Sequence, residues 1–232
     1  MEPLKAAHLL AKEIHRRTET TGLDSLFPDE GPLRRELYPK HTAMFAAGLE
    51  HNERCCLGGN RVGKTLSIGG FETALHLTGL YPDWWEGWRL NKPMIGWAGG
   101  TKAVKVRDVN QKFLVGLIQP DRQLQGGLIP AHRIKRYTRK SHGVADAIDQ
   151  LMVKHTAGWE NTLTFKSYEE GRTSFEAEGI DWIWLDEEPS REIYDECKLR
   201  LLTTKGRILS TMTPVEGMTE CVLGMLEGTD LI

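Results

Sequence analysis

The sequence predicts an α/β fold in which a mostly parallel central sheet is flanked by helices. A glycine-rich segment, 58–65, lies between a short apolar run and a helical pattern of apolar residues. A second apolar run, 182–185, ends in two acidic residues. Strand-like and helix-like segments alternate between these two points, which is typical of parallel sheets.

The glycine-rich segment fits the P-loop pattern G-x-x-x-x-G-K-[ST] at every fixed position. Its residues are Gly58, Gly59, Asn60, Arg61, Val62, Gly63, Lys64 and Thr65. In such a loop the backbone N–H groups surround a phosphate, and glycines permit the close approach of the backbone. We therefore expect Lys64 to reach the β- and γ-phosphates of a nucleotide and the Thr65 hydroxyl to ligate Mg²⁺.

The residues on either side of the loop support this interpretation. Residues 54–57 are largely apolar, as in a buried strand, and residues 66–80 carry apolar side chains at helical spacing until Gly79 ends the run. A glycine-rich turn that binds nothing is the alternative, and it would need neither neighbour. The aromatic segment 81–88 is predicted to be a packed surface turn rather than a ligand platform.

The segments that follow continue the alternation of strands and helices. A strand is predicted at 93–98, then a helix with Thr101 as its N-cap that extends to about residue 117. Two further strands are predicted at 150–155 and 163–167, with a turn at Gly158 between them.

The composition is that of an ordinary globular protein. The chain has 232 residues, of which 40% are hydrophobic and 27% charged, and its net charge is −2. No apolar run approaches the roughly 20 residues that span a bilayer, so no membrane association is expected. The four cysteines are too few for a disulfide scaffold, which favours a reducing cytosol. Because the bulk charge is slightly negative, a nucleic-acid surface would have to be local.

One local basic segment is present between the predicted helix and the later strands. Contact with a phosphate backbone needs several cations on one exposed surface and no reading of bases. A solvated loop is an equally weighted alternative for this segment. The candidate DNA contacts are Arg133, Lys135, Arg136, Arg139 and Lys140.

The second apolar run has the Walker B pattern. A buried strand would deliver its terminal carboxylates to the carboxyl edge of a parallel sheet, beside the P-loop. Asp186 is expected to hold Mg²⁺, directly or through water, and Glu187 to orient and activate the attacking water. The glutamate directly after the aspartate favours a hydrolase over a nucleotide kinase, and Glu188 is expected to face outward.

The C-terminal part of the sequence predicts a helix at 189–202 and a strand at 206–214. Thr211 and Thr213 would then stand beside the Walker B strand, within reach of a γ-phosphate. The alternative is a simple helix N-cap before Glu216, and the spacing alone does not decide between them.

Four of these segments together resemble the large terminase subunit of tailed bacteriophages. They are Gly-Gly-Asn-Arg-Val-Gly-Lys-Thr (58–65), Tyr-Pro-Asp-Trp-Trp (81–85), Trp-Leu-Asp-Glu-Glu-Pro (184–189) and Ser-Thr-Met-Thr-Pro (210–214). The resemblance runs from about residue 38 to residue 217. It implies a P-loop NTPase fold of the additional-strand type, which would occupy 38–232. Apolar residues at helical spacing predict a helix over residues 1 to about 20. Residues 1–37 would be an N-terminal helix and connector that acts as a lid or binds a partner.

The resemblance also implies roles for individual residues. Arg61 stands where that family has an arginine inside the P-loop. Arg172 is the candidate for an arginine that reaches into a neighbouring subunit's site, and Arg200 is the second choice. The segment 210–214 matches the family's coupling motif, which favours Thr213 as a residue that senses the nucleotide. Candidates for adenine contact are Tyr38, His41 and Phe45.

The function implied by the resemblance is an ATPase motor that uses ATP and Mg²⁺ to drive double-stranded DNA into a procapsid. The implied partners are the portal protein, the small terminase subunit and further copies of the chain in a ring, expected to be a pentamer. Its place would be the host cytoplasm, with transient attachment at the procapsid portal and absence from the mature virion. The family's nuclease domain is not expected in this chain.

Three alternatives remain at the level of sequence. The first is a helicase or other nucleic-acid remodelling ATPase, although such enzymes usually carry a second similar domain. The second is a nucleotide kinase or GTPase, and the segment Asn91–Met94 lacks the aspartate of a guanine-reading motif. The third is a module that binds ATP only to assemble a ring, without turnover.

Overall fold

The computed structural model of the chain describes residues 22–176, 179–215 and 217–226. The helix predicted for residues 1–20 lies outside these ranges, as does Glu216. Seven strands form one sheet, and the described helices pack on its two faces. Within the described ranges, every helix is too short or too polar to cross a lipid bilayer.

The sheet is parallel over five strands and ends in an antiparallel pair. Its order is β1-β7-β6-β2-β5-β4-β3. The contacts from β1 through β5 are all parallel, whereas β4 pairs antiparallel with both β5 and β3. The predicted α/β architecture is therefore confirmed. The strands are β1 (Glu53–Leu57), β2 (Ile95–Gly100), β3 (Ile134–Arg139), β4 (Ile148–Lys154), β5 (Glu160–Ser167), β6 (Trp182–Asp186) and β7 (Arg207–Met212).

The helices after β1, β2 and β6 lie close to the predicted positions, whereas the helix before β1 was not predicted. Helix α1 is Pro39–Ala46. Helix α2 spans 64–78, with a π-helical first part, Lys64–Gly70, and a regular second part, Phe71–Thr78. Helix α3 spans 103–115 and also contains a π-helical stretch, Val106–Gln111. Helices α4 (Arg191–Leu202) and α5 (Glu220–Leu226) follow β6 and β7.

The helix ends follow the expected chemistry in two of three cases. Gly79 ends α2 in the left-handed conformation, at φ +75°. The Ser190 hydroxyl accepts a hydrogen bond from the Ile193 N–H and so caps α4. The prediction that Thr101 caps α3 is wrong, because Lys102 occupies the N-cap and its side chain makes no capping bond. A glutamate from a neighbouring loop takes over part of that role, since Glu169 accepts from the Ala103 N–H at 3.2 Å.

Strand β6 separates two hydrophobic clusters, one on each face of the sheet. Because successive side chains of a strand point to opposite faces, Trp182 and Trp184 enter the larger cluster while Ile183 and Leu185 enter the smaller one. All four side chains are fully buried. Continuous apolar sequence in β6 therefore follows from burial on both faces, as in parallel sheets generally.

The aromatic segment after α2 is a packed turn, as predicted. Trp85 is buried and lies 4.9 Å from the ring of Phe45, and Trp84 stacks parallel to Phe71 at 6.1 Å. Phe27 joins the same group by edge contacts to Phe45 and Phe71. These rings fix the connector before α1 against the start of the regular part of α2.

The basic segment is a strand and not the solvated loop that was one of its two interpretations. β3 forms the sheet edge opposite β1, so six strand spacings separate it from the P-loop strand, roughly 29 Å. The polar character of β3 suits an edge strand, because charged side chains there discourage pairing with other chains.

A buried ion pair joins β1 to α2. The Arg54 guanidinium donates to both carboxylate oxygens of Glu72, at 2.6 and 3.0 Å, and Glu72 also contacts His76 Nε2 at 3.2 Å. All three side chains are buried. Burial raises the pKa of Glu72, but Arg54 and His76 outweigh it and hold that pKa below its usual value. Arg54 precedes the P-loop and Glu72 follows it, so the pair holds the two ends of the loop together.

We expect Arg54→Met to lower the free energy of unfolding by about 3–5 kcal/mol, because it leaves the Glu72 carboxylate buried without its main partner. Denaturant unfolding measures the change. Glu36→Ala is the control, because it breaks an ion pair with Arg34 in which both side chains are exposed. Equal effects of the two substitutions would contradict the structural role of the buried pair.

Candidate nucleotide site

The candidate site lies where three parallel strands end side by side. β7 pairs with β1 on one side and with β6 on the other, and its Thr211 stands opposite both Cys56 and Asp186. The carboxyl ends of these strands therefore bring the P-loop, the Walker B acids and the segment after β7 to one edge of the sheet. This is the edge at which open α/β sheets bind ligands.

The P-loop is bonded internally through its lysine. Lys64 Nζ donates to the Gly59 carbonyl oxygen at 2.6 Å and to the Thr213 hydroxyl at 2.9 Å. The Thr213 hydroxyl in turn donates to Asn60 Oδ1 at 3.1 Å. The lysine is buried although it is charged, which its two oxygen partners make tolerable. The predicted loop residues are thus brought together with the segment after β7.

Positive backbone angles shape the loop at two places. Arg61 has φ +65° and Gly63 has φ +87°. A Cβ on Gly63 would lie 2.5 Å from the Ser67 Oγ, so a side chain there would also collide with the first turn of α2. With Gly63 in this conformation, α2 begins at Lys64 and points its unpaired N–H groups toward the loop, an arrangement suited to an anion.

Asp186 lies in a polar pocket beside Thr65. The Thr211 hydroxyl donates to Asp186 Oδ1 at 2.8 Å and accepts from the Trp184 indole N–H at 2.9 Å. Burial raises the pKa of Asp186 to about 6, although hydrogen bonds from Thr211 and Thr65 work against this rise. A cation at this place would reverse the effect of burial on the carboxylate.

The donor set fits Mg²⁺. A hydroxyl and a carboxylate in contact with each other, Thr65 and Asp186, are the hard oxygen ligands that this ion accepts. In the described part of the chain, no group of three or more His, Cys, Asp and Glu side chains is placed to hold a metal alone. Mg²⁺ usually keeps several waters and binds one or two protein oxygens plus phosphates, so two protein ligands suffice.

Glu187 has an unusual backbone conformation. Its φ is +61°, in the left-handed region that a glutamate rarely adopts. Its N–H donates to the Thr211 carbonyl oxygen at 2.8 Å, and its carboxylate accepts from the Thr213 N–H at 3.1 Å. Non-glycine residues in this region occur disproportionately at functional sites, where neighbouring contacts hold them.

Thr211, near the end of β7, and Thr213, just after it, occupy different environments. Thr211 is fully buried and supports Asp186, so it does not project toward the loop. Thr213 bonds to Lys64 and Asn60 through its hydroxyl and to Glu187 through its N–H. Of these two threonines, Thr213 is therefore the one that connects the P-loop to the Walker B glutamate.

The three candidate arginines lie in different segments of the chain. Arg61 is an exposed residue of the loop itself. Arg172 lies in a short turn after β5, where it donates to Glu196 at 2.6 Å and pairs with Glu176 at 3.0 Å. Arg200, the second choice, contacts the same Glu196 at 2.5 Å. Glu196, on α4, positions Arg172 through their ion pair. The Arg172 side chain remains half exposed.

The three adenine candidates separate clearly. Phe45 is buried in the aromatic cluster and is unsuited to contact a base. His41 faces the loop, with its Nε2 3.6 Å from the position that a Cβ would take on Gly63. Tyr38 packs edge-on against His41 at 5.3 Å. His41 and Tyr38 therefore stay candidates on geometric grounds.

The basic residues of the β3 region lie far from the loop and are partly neutralised. Lys135 lies 4.0 Å from Glu160, Arg139 lies 3.2 Å from Asp146, and Lys140 pairs with Glu170. Arg136 is exposed and its Nε contacts the Met152 sulfur. Arg133 is half-buried at the start of the strand.

Two features of the site gave no signal in the sequence. Glu188, predicted to face outward, accepts a hydrogen bond from the Thr219 hydroxyl and lines a cavity of about 490 Å³ beside Glu187. The Tyr168 hydroxyl contacts the backbone carbonyl oxygens of Asp186 and Glu187. Both contacts join segments that are distant in the chain, so no local pattern marks them.

A P-loop after β1 and a Walker B strand, β6, separated from β1 by β7 in the same parallel sheet define the class of P-loop nucleotide-binding proteins. Residues 55–229 match the family described as terminase large subunit, T4likevirus-type, N-terminal. The chain belongs to this family, and the resemblance inferred from its four motifs is confirmed.

A curated relative supports this assignment. The chain is 33% identical to the terminase large subunit of Salmonella phage P22 over 207 residues, which cover 82% of this chain and 41% of that protein. It thus spans about two fifths of the length of that curated relative. Two solved structures of the large terminase from a thermophilic bacteriophage, one in complex with ADP, are 11% and 13% identical, with TM-scores of 0.48 and 0.47. Each match covers 75% of this chain and 38% of the solved chain.

Thr211→Val is expected to lower the free energy of unfolding by about 1–3 kcal/mol, because Asp186 loses a buried donor and Trp184 loses its acceptor. Thr138→Val is the matched control, since the Thr138 hydroxyl accepts a single bond, from the Gln150 N–H, on an exposed strand. Chemical denaturation compares the two. A loss for Thr211→Val no larger than that of the control would mean that the buried chain of hydrogen bonds adds nothing to stability.

Proposed function

We propose that this chain is the ATPase part of a phage terminase, which hydrolyses ATP to move double-stranded DNA into a procapsid. The single observation that carries the proposal is the set of bonds around Thr213. Thr213 bonds to Lys64 and Asn60 of the P-loop and also to Glu187, the residue proposed to activate water. Membership in the terminase family supports the assignment to DNA packaging.

Each residue of the site has a defined task in this proposal. Lys64 exchanges the Gly59 carbonyl for phosphate oxygens, and the N–H groups at the start of α2 bind the same phosphates. Thr65 and Asp186 would hold Mg²⁺, which neutralises charge on the phosphates during transfer. Glu187 holds a water in line with the γ-phosphorus and accepts its proton. Arg61 adds positive charge from within the loop.

Arg172 acts in this proposal on the site of a neighbouring copy of the chain. An arginine supplied by a neighbour stabilises the transition-state charge and makes hydrolysis depend on assembly. The pairing of Arg172 with Glu196 and Glu176 supports this role, because it orients the side chain on a rigid helix while leaving it half exposed. A ring of copies, proposed as a pentamer on the portal, would bring each Arg172 to the next site.

Thr213 is the coupling residue in this proposal. Its hydroxyl bonds to Lys64, so a change at the phosphate end of Lys64 alters the position of the segment after β7. The same residue donates its N–H to Glu187, so the catalytic carboxylate shifts with it. Thr211 contributes by fixing Asp186 rather than by contacting the phosphate.

The remaining partners follow from the packaging function. Double-stranded DNA is the substrate that is moved, and the small terminase subunit and the portal protein are the proposed protein partners, in the host cytoplasm. Residues 38–232 form the proposed ATPase domain, and residues 1–37 are proposed to act as a lid or partner-binding helix.

A module that binds ATP only to assemble a ring is the second candidate. Exposed Arg61 and the accessible Arg172 would serve such assembly equally well. Glu187, held in a left-handed conformation by two hydrogen bonds, favours the hydrolase, because a module without turnover has no use for that arrangement.

Glu187→Gln is expected to reduce the turnover of Mg²⁺-ATP about 10²–10⁴-fold while ATP binding persists, because only the proton acceptor is lost. Phosphate release is measured over a range of protein concentrations without DNA, with duplex DNA and with single strands. Glu188→Gln is the matched control, since its carboxylate bonds to Thr219. We expect duplex DNA to stimulate turnover more than single strands do.

The outcomes separate the candidates. Turnover that depends on Glu187 but not on Glu188 supports the hydrolase. ATP binding with no phosphate release at any protein concentration, in the presence of DNA, would favour the assembly module. Stimulation by single strands alone would favour a helicase-like enzyme.

Duplex binding is expected to depend on the exposed face of β3. Lys135→Gln combined with Arg136→Gln should weaken binding equally for unrelated sequences and reduce the slope of log K against log salt by about 2, since each lost phosphate contact contributes about 0.9. Lys92→Gln combined with Lys198→Gln is the control, because both lysines are half exposed and away from β3. An unchanged slope in the β3 variant would exclude these residues from the DNA surface.

A further inference from the structure

Tyr168 connects two strands that are not neighbours. It follows the end of β5, yet its hydroxyl lies 3.1 Å from the Asp186 carbonyl oxygen and 3.2 Å from the Glu187 carbonyl oxygen, at the end of β6. Strand β2 lies between β5 and β6 in the sheet. The side chain therefore crosses β2 to reach the Walker B turn.

Gly99 makes this crossing possible. A Cβ on Gly99 would lie 3.0 Å from Tyr168 Cε1 and 3.1 Å from Leu185 Cδ2. Both distances are shorter than ordinary carbon contacts, so a Cβ at this position would require the Tyr168 ring, Leu185 or both to shift slightly. Gly99 is an interior residue of β2, where glycine otherwise weakens a strand.

The two carbonyl groups that Tyr168 contacts belong to the two peptide groups on either side of the Glu187 Cα. The orientation of these peptide groups defines φ and ψ of Glu187. One hydroxyl thus contacts both groups at the residue whose φ is +61°. A left-handed glutamate persists only where its surroundings hold it, and the hydrogen bonds that Glu187 makes with Thr211 and Thr213 supply further restraints.

The phenol is suited to remain a donor. A phenol keeps its proton at neutral pH, so the hydroxyl is available to donate. Its ring packs against the smaller hydrophobic cluster and lies 6.3 Å from Phe175. The ring is therefore fixed independently of the hydroxyl.

Tyr168 also begins the segment that carries Arg172. Lys166 Nζ donates to the Ser174 carbonyl oxygen, and Phe175 is fully buried, so the segment 168–175 is anchored at both ends. The Walker B turn and the candidate neighbour-directed arginine are consequently attached to the same short stretch of chain.

We propose that Tyr168 is a positioning residue for Glu187: its hydroxyl holds the two peptide groups around Glu187 so that the carboxylate faces the nucleotide site. Its kinetic consequence rests on the proposed ATP hydrolysis. Its structural consequence does not, because it concerns the local stability of the Glu187 backbone.

Tyr168→Phe tests the proposal by removing only the hydroxyl. The Glu187 N–H donates to Thr211 and the Thr213 N–H donates to Glu187, so both amides report on this turn. We expect both amides to exchange with solvent several-fold faster by NMR, while amides of β2 and β7 are unchanged. We expect kcat for ATP to fall about tenfold with KM changed less than about twofold, since ground-state binding is untouched.

Tyr137→Phe is the matched control. The Tyr137 hydroxyl likewise donates to a backbone carbonyl, that of Arg122, at 2.7 Å, but at the exposed β3 edge. Its removal should alter neither kcat nor the exchange of the Glu187 and Thr213 amides. If Tyr168→Phe behaves like this control in amide exchange, the proposal is wrong.

Gly99→Ala gives an independent test through the ring. In the wild-type background, it should accelerate hydrogen exchange of the Glu187 and Thr213 amides and lower kcat. In the Tyr168→Phe background, it should lower kcat little further. Full additivity of the two substitutions would overturn the proposal, because Gly99 would then act by another route. If the unaltered chain hydrolyses no ATP, the proposed function fails and amide exchange alone decides the role of Tyr168.

Discussion

The parallel pairing of β7 between β1 and β6 is the constraint on which the rest of the site depends. Its register places Thr211 opposite Cys56 on one side and Asp186 on the other. A slip by one residue would turn Thr211 to the opposite face of the sheet, leaving Asp186 without its donor and Thr213 out of reach of Lys64. The alternation of side chains in β6, with tryptophans on one face and aliphatic residues on the other, fixes this register through burial. Packing on both faces of the sheet therefore determines the geometry of a polar site at its edge.

The same logic explains why the P-loop has a defined shape although it contains three glycines. Arg54 at its beginning and Glu72 beyond its end are joined by a buried bidentate pair, and the aromatic cluster around Phe71 packs the helix against the connector before α1. A loop whose ends are held in this way can be locally strained without unfolding. Strain is present on the opposite side of the site too, at Glu187. Unfavourable backbone conformations therefore occur on both sides of the nucleotide site, at Arg61 and Glu187, although the described residues include others with positive φ elsewhere, such as Phe27 and Asp146.

The sequence predicted those parts of the fold and site that depend on short segments. The P-loop, the Walker B strand and their flanking elements carry their own signals in spacing and polarity, and β1, α2, β6 and β7 were placed correctly. The role of β3 was not predictable in this way, because the polar residues of an edge strand resemble those of a loop. Thr101 is not the cap of α3 because Lys102 occupies the N-cap position, and Glu169, from another loop, provides the acceptor for the Ala103 N–H. The contacts of Tyr168 and the Arg54–Glu72 pair depend on strand order, which short-range patterns do not encode.

The internal bonds of Lys64 affect the energetics of nucleotide exchange. The Lys64 ammonium group already has a carbonyl and a hydroxyl partner within the protein. An incoming phosphate therefore replaces an existing hydrogen bond and does not meet an unpaired charge. The net gain in affinity from this lysine is accordingly smaller than the strength of an isolated lysine–phosphate contact, because the existing hydrogen bond to the Gly59 carbonyl is given up. The same bond favours phosphate release, because the Lys64 ammonium group can return to the Gly59 carbonyl and does not need water as a partner. Such a site would release a bound phosphate more readily than one built for maximal affinity, which suits the repeated cycles of the proposed motor.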